Sequence, residues 1–433
     1  MRKIQSLVNI MALGLLLSAT NSSSETITFR GTTYNLREVT GTISSQFSIL
    51  LSQPWWIVGD DAGGRNFDLL TDLDKFIGKR FAYGIYNGLR NQIYLGNSLT
   101  IYTQDSIEAD GVYSWYITDV GPDPLNTQSS LQYQASQLRS AFNTQTVAAN
   151  FALNYDCNVF DVKGMCISAG GRYTTIDNPG INNSAATVTL GYKVNPNIRI
   201  GAYLDQNINI SNPTGINISN NTPLMGLYAV WNKEQSGLGY QVRLANTYQD
   251  KDVTSTRTVF GTSEAGSGKS SLTSQSYLAE LSYAFQYEDK TLMRPYAGLR
   301  YTHLKQKGYT EATTDTVTDP LTLAALRDKS VTALLGVKLN HNLNDKATLT
   351  AQLGLEQDVH YKVDNYSATD LNGSDLTAVA FNANIKRTRP VASIGAFYDV
   401  TKTQRASATI NYQQTPFQST GSATAYFNYM IGF

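Results

Sequence analysis

The sequence predicts an all-β protein, a twelve-stranded antiparallel transmembrane β-barrel with a helix in its lumen, preceded by a small N-terminal α+β domain. From residue 165 onward, apolar and polar residues alternate with the two-residue period of a β-strand. The 433-residue chain carries 27 Tyr and 15 Phe but few charges, which suits membrane strands flanked by aromatic girdles. A third observation, a long and nearly uncharged stretch of helical periodicity before residue 165, predicts the helix.

The alternating segments and their connections together predict the barrel. The alternation is clearest at 188–192, 277–287, 331–339 and 349–355, where the apolar phase would face lipid and the polar phase a wet interior. Short turns at 195–197, 235–237, 288–290, 342–345 and 401–403 alternate strictly with longer polar loops at 211–222, 249–272, 309–328, 363–386 and 414–420. A soluble β-sandwich is the alternative, but it would not readily produce this order of connections. Counting back from Phe433 gives twelve strands, the first at about 165–177, and an even number suits a closed bacterial barrel.

Glycine recurs on the polar, inward phase of these strands. The positions are Gly170, Gly191, Gly201, Gly239, Gly298, Gly336, Gly354, Gly395 and Gly432. Mid-strand glycine permits close approach of another backbone, such as a plug, or allows the strand curvature of a narrow barrel, and both interpretations stay open. The residues that we expect to face the lumen are Gly170, Arg172, Gly298, Arg300, Gly336, Gly354 and Glu356.

Residues 127–155 form the segment of helical periodicity. Gln, Ser and Ala dominate, no Gly or Pro interrupts it, and Leu131, Leu138 and Phe142 recur at helical spacings. Its only clear charge is Arg139. A helix of this length, about 40 Å at about 1.5 Å per residue, could thread a barrel as thick as a bilayer. We therefore expect a plug inside the lumen, with a linker helix outside the barrel as the alternative.

The chain contains two cysteines, Cys157 and Cys166, between this helix and the first strand. In an exported protein such a pair predicts a disulfide, which here would tie the base of the plug to the barrel wall; two free thiols are the alternative. A metal site is not expected, because the three histidines are all distant from the cysteines in sequence.

Both ends of the chain carry signals of export. Arg2 and Lys3 precede an apolar stretch at 8–19 and several small residues, which predicts a signal peptide over residues 1–24 and passage through the general secretion system. At the other end, one face of the last predicted strand is apolar and aromatic and closes on a terminal phenylalanine. Its residues are Phe427, Tyr429, Ile431 and Phe433, a pattern that resembles the assembly signal of bacterial outer-membrane barrels.

Together these features resemble the autotransporter (type V secretion) β-domain over residues 127–433. The segments that carry the resemblance are Arg387–Asp399 (RTRPVASIGAFYD), Pro295–Tyr301 (PYAGLRY) and Phe427–Phe433 (FNYMIGF). The resemblance implies a barrel at 165–433 in the outer-membrane bilayer, inserted by the barrel-assembly machinery, with 127–164 as a linker left in the pore. It further implies that a passenger, residues 25–126, is delivered to the cell surface.

Some members of this family cut the passenger at an Asn-Asn pair on the helix. Here the helix has only the isolated Asn143, Asn150 and Asn154. Self-cleavage of that type is therefore not expected, and the passenger is predicted to stay attached.

The passenger segment shows no internal repeat and resembles no recognised family, so its ligand is not predicted. Strands are predicted at Thr26–Phe29 and Leu99–Tyr102, and a helix at 66–79. The pair Trp55-Trp56 is interpreted as core packing rather than a binding platform. The run Asp60-Asp61 before two glycines is interpreted as a solvated turn rather than a cation site.

Composition also narrows the class of function. The net charge of zero gives no sign of nucleic-acid binding. The passenger has no His and no Cys, which excludes Ser-His-Asp and Cys-His catalytic systems within it. In the barrel, Asp358 and His360 are expected on the same inward phase, and we interpret them as a chance pair. We therefore predict a monomeric, non-enzymatic translocator without cofactor or metal that displays a small surface module for adhesion or another surface interaction. A porin-like channel with 25–126 as a periplasmic or plug domain, and an outer-membrane enzyme, are the alternatives.

Overall fold

A computed structural model describes residues 124–433 except 178–179, 220–221, 261–262, 372, 383–385 and 416–419, and describes the N-terminal part through its strands. The chain divides into two compact units, residues 1–121 and 122–433. The predicted signal peptide, the predicted helix at 66–79, Trp55-Trp56 and Asp60-Asp61 lie outside the described residues. The domain boundaries drawn from the sequence stay predictions.

The described part of the N-terminal unit consists of short strands in two sheets. One sheet is antiparallel and joins β1 (Glu25–Phe29), β2 (Thr32–Thr42) and β7 (Val112–Thr118). The other has the order β3 (Ile57–Val58), β4 (Ala82–Asn87), β5 (Arg90–Leu95) and β6 (Ile101–Thr103), with β3 and β4 parallel. Strand β1 covers the predicted strand at Thr26–Phe29, and β6 begins two residues later than the strand predicted from Leu99.

A single long helix, α1 (Pro124–Ala152), opens the described part of the second unit. It begins and ends three residues earlier than predicted. Pro124 suits the first helical position, because its ring fixes a helical φ and its missing N–H would have no partner there. No helix among the described residues is both long enough and apolar enough to cross a bilayer.

The barrel is a ring of twelve long antiparallel strands, and the pairing of β8 with β23 and of β13 with β14 closes it. This confirms the predicted strand number and fold. The long strands are β8 (Met165–Ile176), β9 (Ile181–Asn195), β10 (Ile198–Ile210), β12 (Leu224–Asn232), β13 (Gly239–Thr256), β14 (Ser267–Glu288), β15 (Thr291–Gln306), β18 (Leu326–Asn342), β19 (Ala347–Val363), β21 (Thr388–Thr401), β22 (Gln404–Gln414) and β23 (Gly421–Gly432).

The two ends of the barrel differ in their connections. We call the end with the short turns after β9, β12, β14, β18 and β21 the turn end, and the opposite end the loop end.

Two sequence expectations about the loop end were wrong. The first connection at the loop end, between Ile176 and Ile181, is short, so the alternation is not strict. The predicted loop 249–272 is mostly strand, because β13 and β14 continue to Thr256 and from Ser267. These strands project beyond the level of lipid, where both faces are polar and the alternating pattern disappears.

The loops at the loop end carry structure of their own. β11 (Ile216–Ile218) pairs with β13, and β16 (Tyr309–Thr310), β17 (Thr322–Leu323) and β20 (Ala368–Thr369) form a small sheet drawn from two separate loops. The Glu264 carboxylate accepts hydrogen bonds from the Thr318 amide and hydroxyl at 2.8 and 2.7 Å and from the Asp319 amide at 3.0 Å. These contacts tie the loop between β13 and β14 to the loop between β15 and β18.

The outer face of the barrel is apolar. Leu190, Leu281, Leu353 and Ile394 are each at least half exposed, as expected of side chains that lipid covers. Exposed aromatic rings form two bands. The band near the turn end contains Tyr192, Tyr240, Tyr283, Phe285, Tyr398 and Phe433, and the band toward the loop end contains Tyr173, Tyr248, Tyr277 and Tyr301. Two such girdles mark the interfaces of a membrane barrel.

Candidate functional site: the plugged lumen

Helix α1 occupies the barrel lumen. It contacts β8, β9, β13, β14 and β15 on the wall and β11 among the loops. Leu131, Leu138, Phe142 and Val147 are all completely buried, although the helix belongs to a membrane barrel with a polar inner face. The predicted lumen helix is therefore confirmed, and the alternative of a helix outside the barrel is excluded.

The loop-end half of α1 is enclosed by apolar side chains. We call this cluster the apolar collar; it contains Leu131, Leu138 and Phe142 of the helix and, around them, Leu304, Tyr309, Leu321, Leu323, Leu326, Tyr366 and Phe381. The Tyr366 hydroxyl donates to the Gln134 side-chain oxygen at 2.8 Å. Because the loops supply much of the collar, they close the lumen around the helix instead of leaving an open mouth.

The one charge of the helix is neutralised within this collar. Arg139 is buried and forms an ion pair with Asp328 of β18. Its guanidinium also lies over the Phe381 ring at 4.1 Å and near the Phe142 ring at 5.3 Å. A buried arginine needs such partners, since an unpaired charge out of water is very costly.

Farther down, the helix meets a polar wall. The Asn150 side-chain oxygen accepts hydrogen bonds from the Ser276 hydroxyl at 2.9 Å and the Thr302 hydroxyl at 3.0 Å. On the same side of the barrel, Arg300 of β15, two residues before Thr302, binds Glu356 of β19 through two hydrogen bonds of 2.8 and 2.6 Å. Asn150, a polar uncharged residue of α1, is thus held by hydrogen bonds from two strands of the wall.

Two further ion pairs join strands inside the lumen, one between the adjacent β19 and β21 and one between β8 and β10, which lie on either side of β9. Arg389 of β21 binds Asp358 of β19 at 2.5 and 2.8 Å, and Arg172 of β8 binds Asp205 of β10 at 2.8 and 3.0 Å. The Tyr155 hydroxyl, just after the helix, donates to the same Asp205 carboxylate at 2.6 Å. Paired guanidinium and carboxylate groups of this geometry are the strong class of side-chain hydrogen bond.

The end of α1 is held by Arg243 of β13. Its guanidinium donates to the Leu153 carbonyl at 2.9 Å and to the Tyr155 carbonyl at 2.7 Å, which satisfies carbonyl groups left free at a helix C-terminus. Arg243 and Arg199 also flank Asp156, at 3.5 and 2.6 Å. Burial alone would raise the pKa of Asp156, but these cations outweigh it and lower the pKa from its usual value. The contact therefore stabilises the fold above the pKa of an unfolded aspartate, and this contribution is lost only as the pH falls through the lower folded value.

The segment between helix and barrel is fixed at the turn end by a disulfide. Cys157 and Cys166 are bonded, so the base of the plug is covalently tied to the second residue of β8. A Cβ at Gly191 would lie 2.7 Å from the Cys157 carbonyl oxygen, and a Cβ at Gly432 would lie 2.8 Å from the Phe160 backbone. Glycine at these two positions lets the segment pack directly on the wall.

Other inward glycines accommodate tyrosine rings. A Cβ at Gly201 would collide with the Tyr228 ring, and one at Gly336 or Gly354 would collide with the Tyr296 hydroxyl. Gly336 and Gly354 lie directly opposite each other on β18 and β19. The sequence left a plug or strand curvature open as the reason for these glycines. At Gly191 and Gly432 the segment after the helix occupies the space of a side chain. At Gly201, Gly336 and Gly354 tyrosines of the barrel wall occupy it.

The remaining predicted site residues lie as follows. Arg172, Arg300 and Glu356 are buried in the lumen ion pairs described above, and Gly170 and Gly298 lie on the inward phase, close to the Phe427 and Ala279 carbonyls of neighbouring strands. Phe427 and Ile431 of β23 and Phe433, which follows it, are exposed on the lipid face, and the Tyr429 hydroxyl donates to Gln404 at 2.9 Å. The Phe433 amide and carbonyl bond the backbone of Met165, which seals the seam between last and first strands.

Sequence reasoning missed several partners in the lumen. Asp205, Arg243 and Arg389 all lie on the inward phase of their strands, so the same two-residue period would have found them.

The expectation that Asp358 and His360 share one inward face was wrong. A bulge at Val359 places Asp358 opposite the buried Thr332 and His360 opposite Val331, so His360 is exposed on the other face. Asp358 instead binds Arg389, and the described residues contain no group of three His, Cys, Asp or Glu suited to a metal ion.

The chain is similar to known outer-membrane proteins. The chain is 28% identical over 195 residues to Outer membrane protein A of Rickettsia rickettsii, an alignment that covers 43% of this chain and 8% of that much longer protein. The translocator domain of the autotransporter NalP from Neisseria meningitidis is similar in structure, with a TM-score of 0.47, 18% identity, and coverage of 69% of this chain and 96% of that one. The transport unit of AIDA-I from Escherichia coli gives a TM-score of 0.42 and 12% identity, with 68% and 98% covered.

The family assignment rests on the sequence of the barrel. Residues 167–413, more than half of the chain, match the autotransporter β-domain family. A barrel of this family resides in the outer membrane of bacteria, and family membership favours a translocator over a porin-like channel. By its barrel, its lumen helix and this match, the chain belongs to the autotransporter family.

Proposed function

We propose that the barrel translocates the chain N-terminal to α1 and then anchors it at the cell surface, where it serves in adhesion or another surface interaction. The observation that carries the proposal is the course of α1. Barrels place short turns in the periplasm and long loops outside, so the loop end is external. The helix runs from the apolar collar among the loops to the disulfide at the turn end, so its first residue lies toward the external end, which supports delivery of the preceding residues to that side.

Surface exposure of residues 25–126 tests this proposal. An epitope tag is inserted near Asp60 and intact cells are treated with protease. We expect the tag to be lost while a periplasmic control protein stays intact. A tag that becomes cleavable only after the outer membrane is permeabilised would place the segment in the periplasm and favour a channel with a periplasmic domain.

The path to the membrane is part of the same proposal. Residues 1–24 would direct the chain to the general secretion system, and β23 would present its apolar face to the barrel-assembly machinery. In support, Phe427, Ile431 and Phe433 point to the lipid side, where an assembly factor could read them before the seam with β8 closes. The folded barrel would act as a monomer.

We expect Phe433→Ser to reduce the amount of folded barrel in the outer membrane several-fold. The change removes the terminal aromatic side chain while leaving the backbone bonds to Met165 available. Folded and unfolded protein are separated by heat-modifiable migration on gels of outer-membrane fractions. Tyr398→Ser is the matched control, since Tyr398 is a similarly exposed aromatic residue on the lipid face. Equal losses in both variants would count against an assembly signal at Phe433.

Catalysis is not part of the proposed function. The two residues that resembled a reactive pair are on opposite faces of β19, and Asp358 is bound by a guanidinium. The lumen charges instead pair across the strands and around α1.

A further inference from the structure

A cluster of cations on the outer face of the barrel has no role in holding the plug. On β15, β18 and β19, near the loop end, the outward side chains are Lys305, Arg327, Lys329 and Lys362, with His303 at the lower edge. We call the four permanent cations the rim patch. Arg327 and Lys362 have side-chain exposures of 57% and 63%.

The rim patch places like charges directly opposite each other. Lys305 faces Arg327 across one pair of strands, and Lys329 faces both His303 and Lys362. Directly opposite side chains of a sheet lie about 5 Å apart, and like charges at such positions destabilise the pairing. Such an arrangement costs stability unless something anionic covers it.

The chain supplies few acids against these cations. Asp364 lies 3.3 Å from Arg327 and 3.8 Å from Lys362. Asp250 is two strands away from Lys305 and accepts a hydrogen bond from Thr273, which faces Lys305. Within the described part of the chain, Lys305 and Lys329 have no carboxylate within 4.0 Å. The patch is left with a net positive charge.

The height of the patch matches the level of lipid head groups. Tyr277 and Tyr301 face each other with ring centroids 6.2 Å apart and belong to the aromatic band toward the loop end. His303 and Lys305 follow Tyr301 on the same outward face, two and four residues farther. At about 3.3 Å per residue, the cations begin about 7 Å beyond the tyrosines measured along the strand. Aromatic girdles mark the membrane interface, so the patch lies among the head groups of the outer leaflet.

An apolar groove on the lipid face leads to this patch. Its volume is about 1170 Å³, and it runs across neighbouring strands between two rows of outward side chains. The small side chains of Ala202, Ala229 and Ala279 line the middle of the groove. Tyr301 and Val331 line its end nearest the rim patch. Val331 is two residues from Lys329 on the same face of β18. Acyl chains in the groove would thus continue into head-group phosphates at the patch.

We propose that the rim patch and this groove together bind a phosphorylated lipid of the outer leaflet. The cations neutralise the phosphates, which relieves the repulsion between Lys305 and Arg327 and between Lys329 and Lys362. The groove accommodates the acyl chains. Bound lipid would hold the external rim of β15, β18 and β19 at a fixed depth in the membrane.

Lipid retention by the purified full-length chain tests the proposal. Bis-phosphorylated lipid A is added in neutral detergent and the complex is measured by native mass spectrometry. We expect Lys305→Gln with Lys329→Gln to weaken binding about tenfold, because each cation near an anionic lipid surface contributes appreciably. The matched control removes two exposed lysines at the turn end, Lys290→Gln with Lys402→Gln, and should bind as the unchanged chain does.

A second variant works in the opposite direction. Asp364→Asn removes the acid that partly neutralises the patch, and we expect it to tighten lipid A binding. Dephosphorylated lipid A should bind weakly to all variants. Equal binding of lipid A with and without phosphates, or equal binding by both double variants, would overturn the proposal. So would a change from dimer to monomer in the Lys305/Lys329 variant at constant lipid, since the patch would then be an interface between two copies.

Discussion

Truncation of the collar side chains on α1 is expected to open the external end of the lumen. Leu138 and Phe142 are completely buried among loop residues. Leu138→Ala and Phe142→Ala should each remove about 3 kcal/mol of packing, because the rigid collar cannot collapse around the space left behind. Since the collar closes the lumen around the helix, its loosening should raise the single-channel conductance of the purified barrel in planar bilayers.

Ser136→Ala is the control within the same helix, as Ser136 is exposed and outside the collar. It should leave both conductance and unfolding unchanged. Limited proteolysis gives a second measurement, because a helix released from the collar becomes a substrate before the barrel itself unfolds. If both collar variants conduct as the unchanged barrel does and α1 stays protected, the collar is not what closes the external end.

Replacement of Arg389 by Met should destabilise the barrel by about 3–5 kcal/mol, because it leaves a carboxylate buried without its partner. Arg389 and Asp358 have no exposed side-chain surface, and their contacts of 2.5 and 2.8 Å join β19 to β21. Without the guanidinium, the Asp358 carboxylate keeps a hydrogen bond from the Thr332 hydroxyl at 2.7 Å. One neutral donor cannot compensate the charge in a medium of low dielectric constant. Guanidinium unfolding followed by tryptophan fluorescence measures the loss.

Two companion variants show whether charge is the cause. In Arg389→Met with Asp358→Leu both charges are gone, and most of the lost stability should return. Arg405→Met removes a partly exposed pair with Asp399, at 23% and 32% exposure, and should cost less than about 1 kcal/mol. A double variant no more stable than Arg389→Met would mean that packing of the arginine side chain, not its charge, carries the effect.

The strand pattern was predictable because lipid imposes it. Every residue of the alternating set at 277–287 faces either hydrocarbon or the lumen, so the two-residue period appears in the sequence itself. The helix was predictable for a similar reason, as no other segment of the sequence after residue 24 combines such length with so few breakers and charges. Both features depend on local composition, and local composition is what a single sequence displays.

Features that depend on distant pairing were not predictable. The sheet of β17 with β16 and β20 joins segments of two residues from separate loops, too short to show any period. The bulge at Val359 adds one residue to β19 and reverses the face of His360 without any glycine to mark it. The tyrosines that lie over Gly201 and Gly336 come from other strands, and only the barrel register brings them there. The two-residue period could have identified Asp205 and Arg389 as inward-facing charges, but it could not have identified the residues with which they pair.

The disulfide at the base of the plug also has a mechanical consequence. If residues 25–126 act in adhesion as proposed, a surface held under flow would pull outward on α1, and the tension would reach the segment after Ala152. From there the Cys157–Cys166 bond passes the load to the start of β8, which is hydrogen-bonded along its length to β9 and β23. The pull runs parallel to the strand, so β8 must slide past both neighbours and all its bonds resist together. The load is therefore shared by all the hydrogen bonds between β8 and its two neighbours, whereas a peeling force would break them one at a time from the strand end.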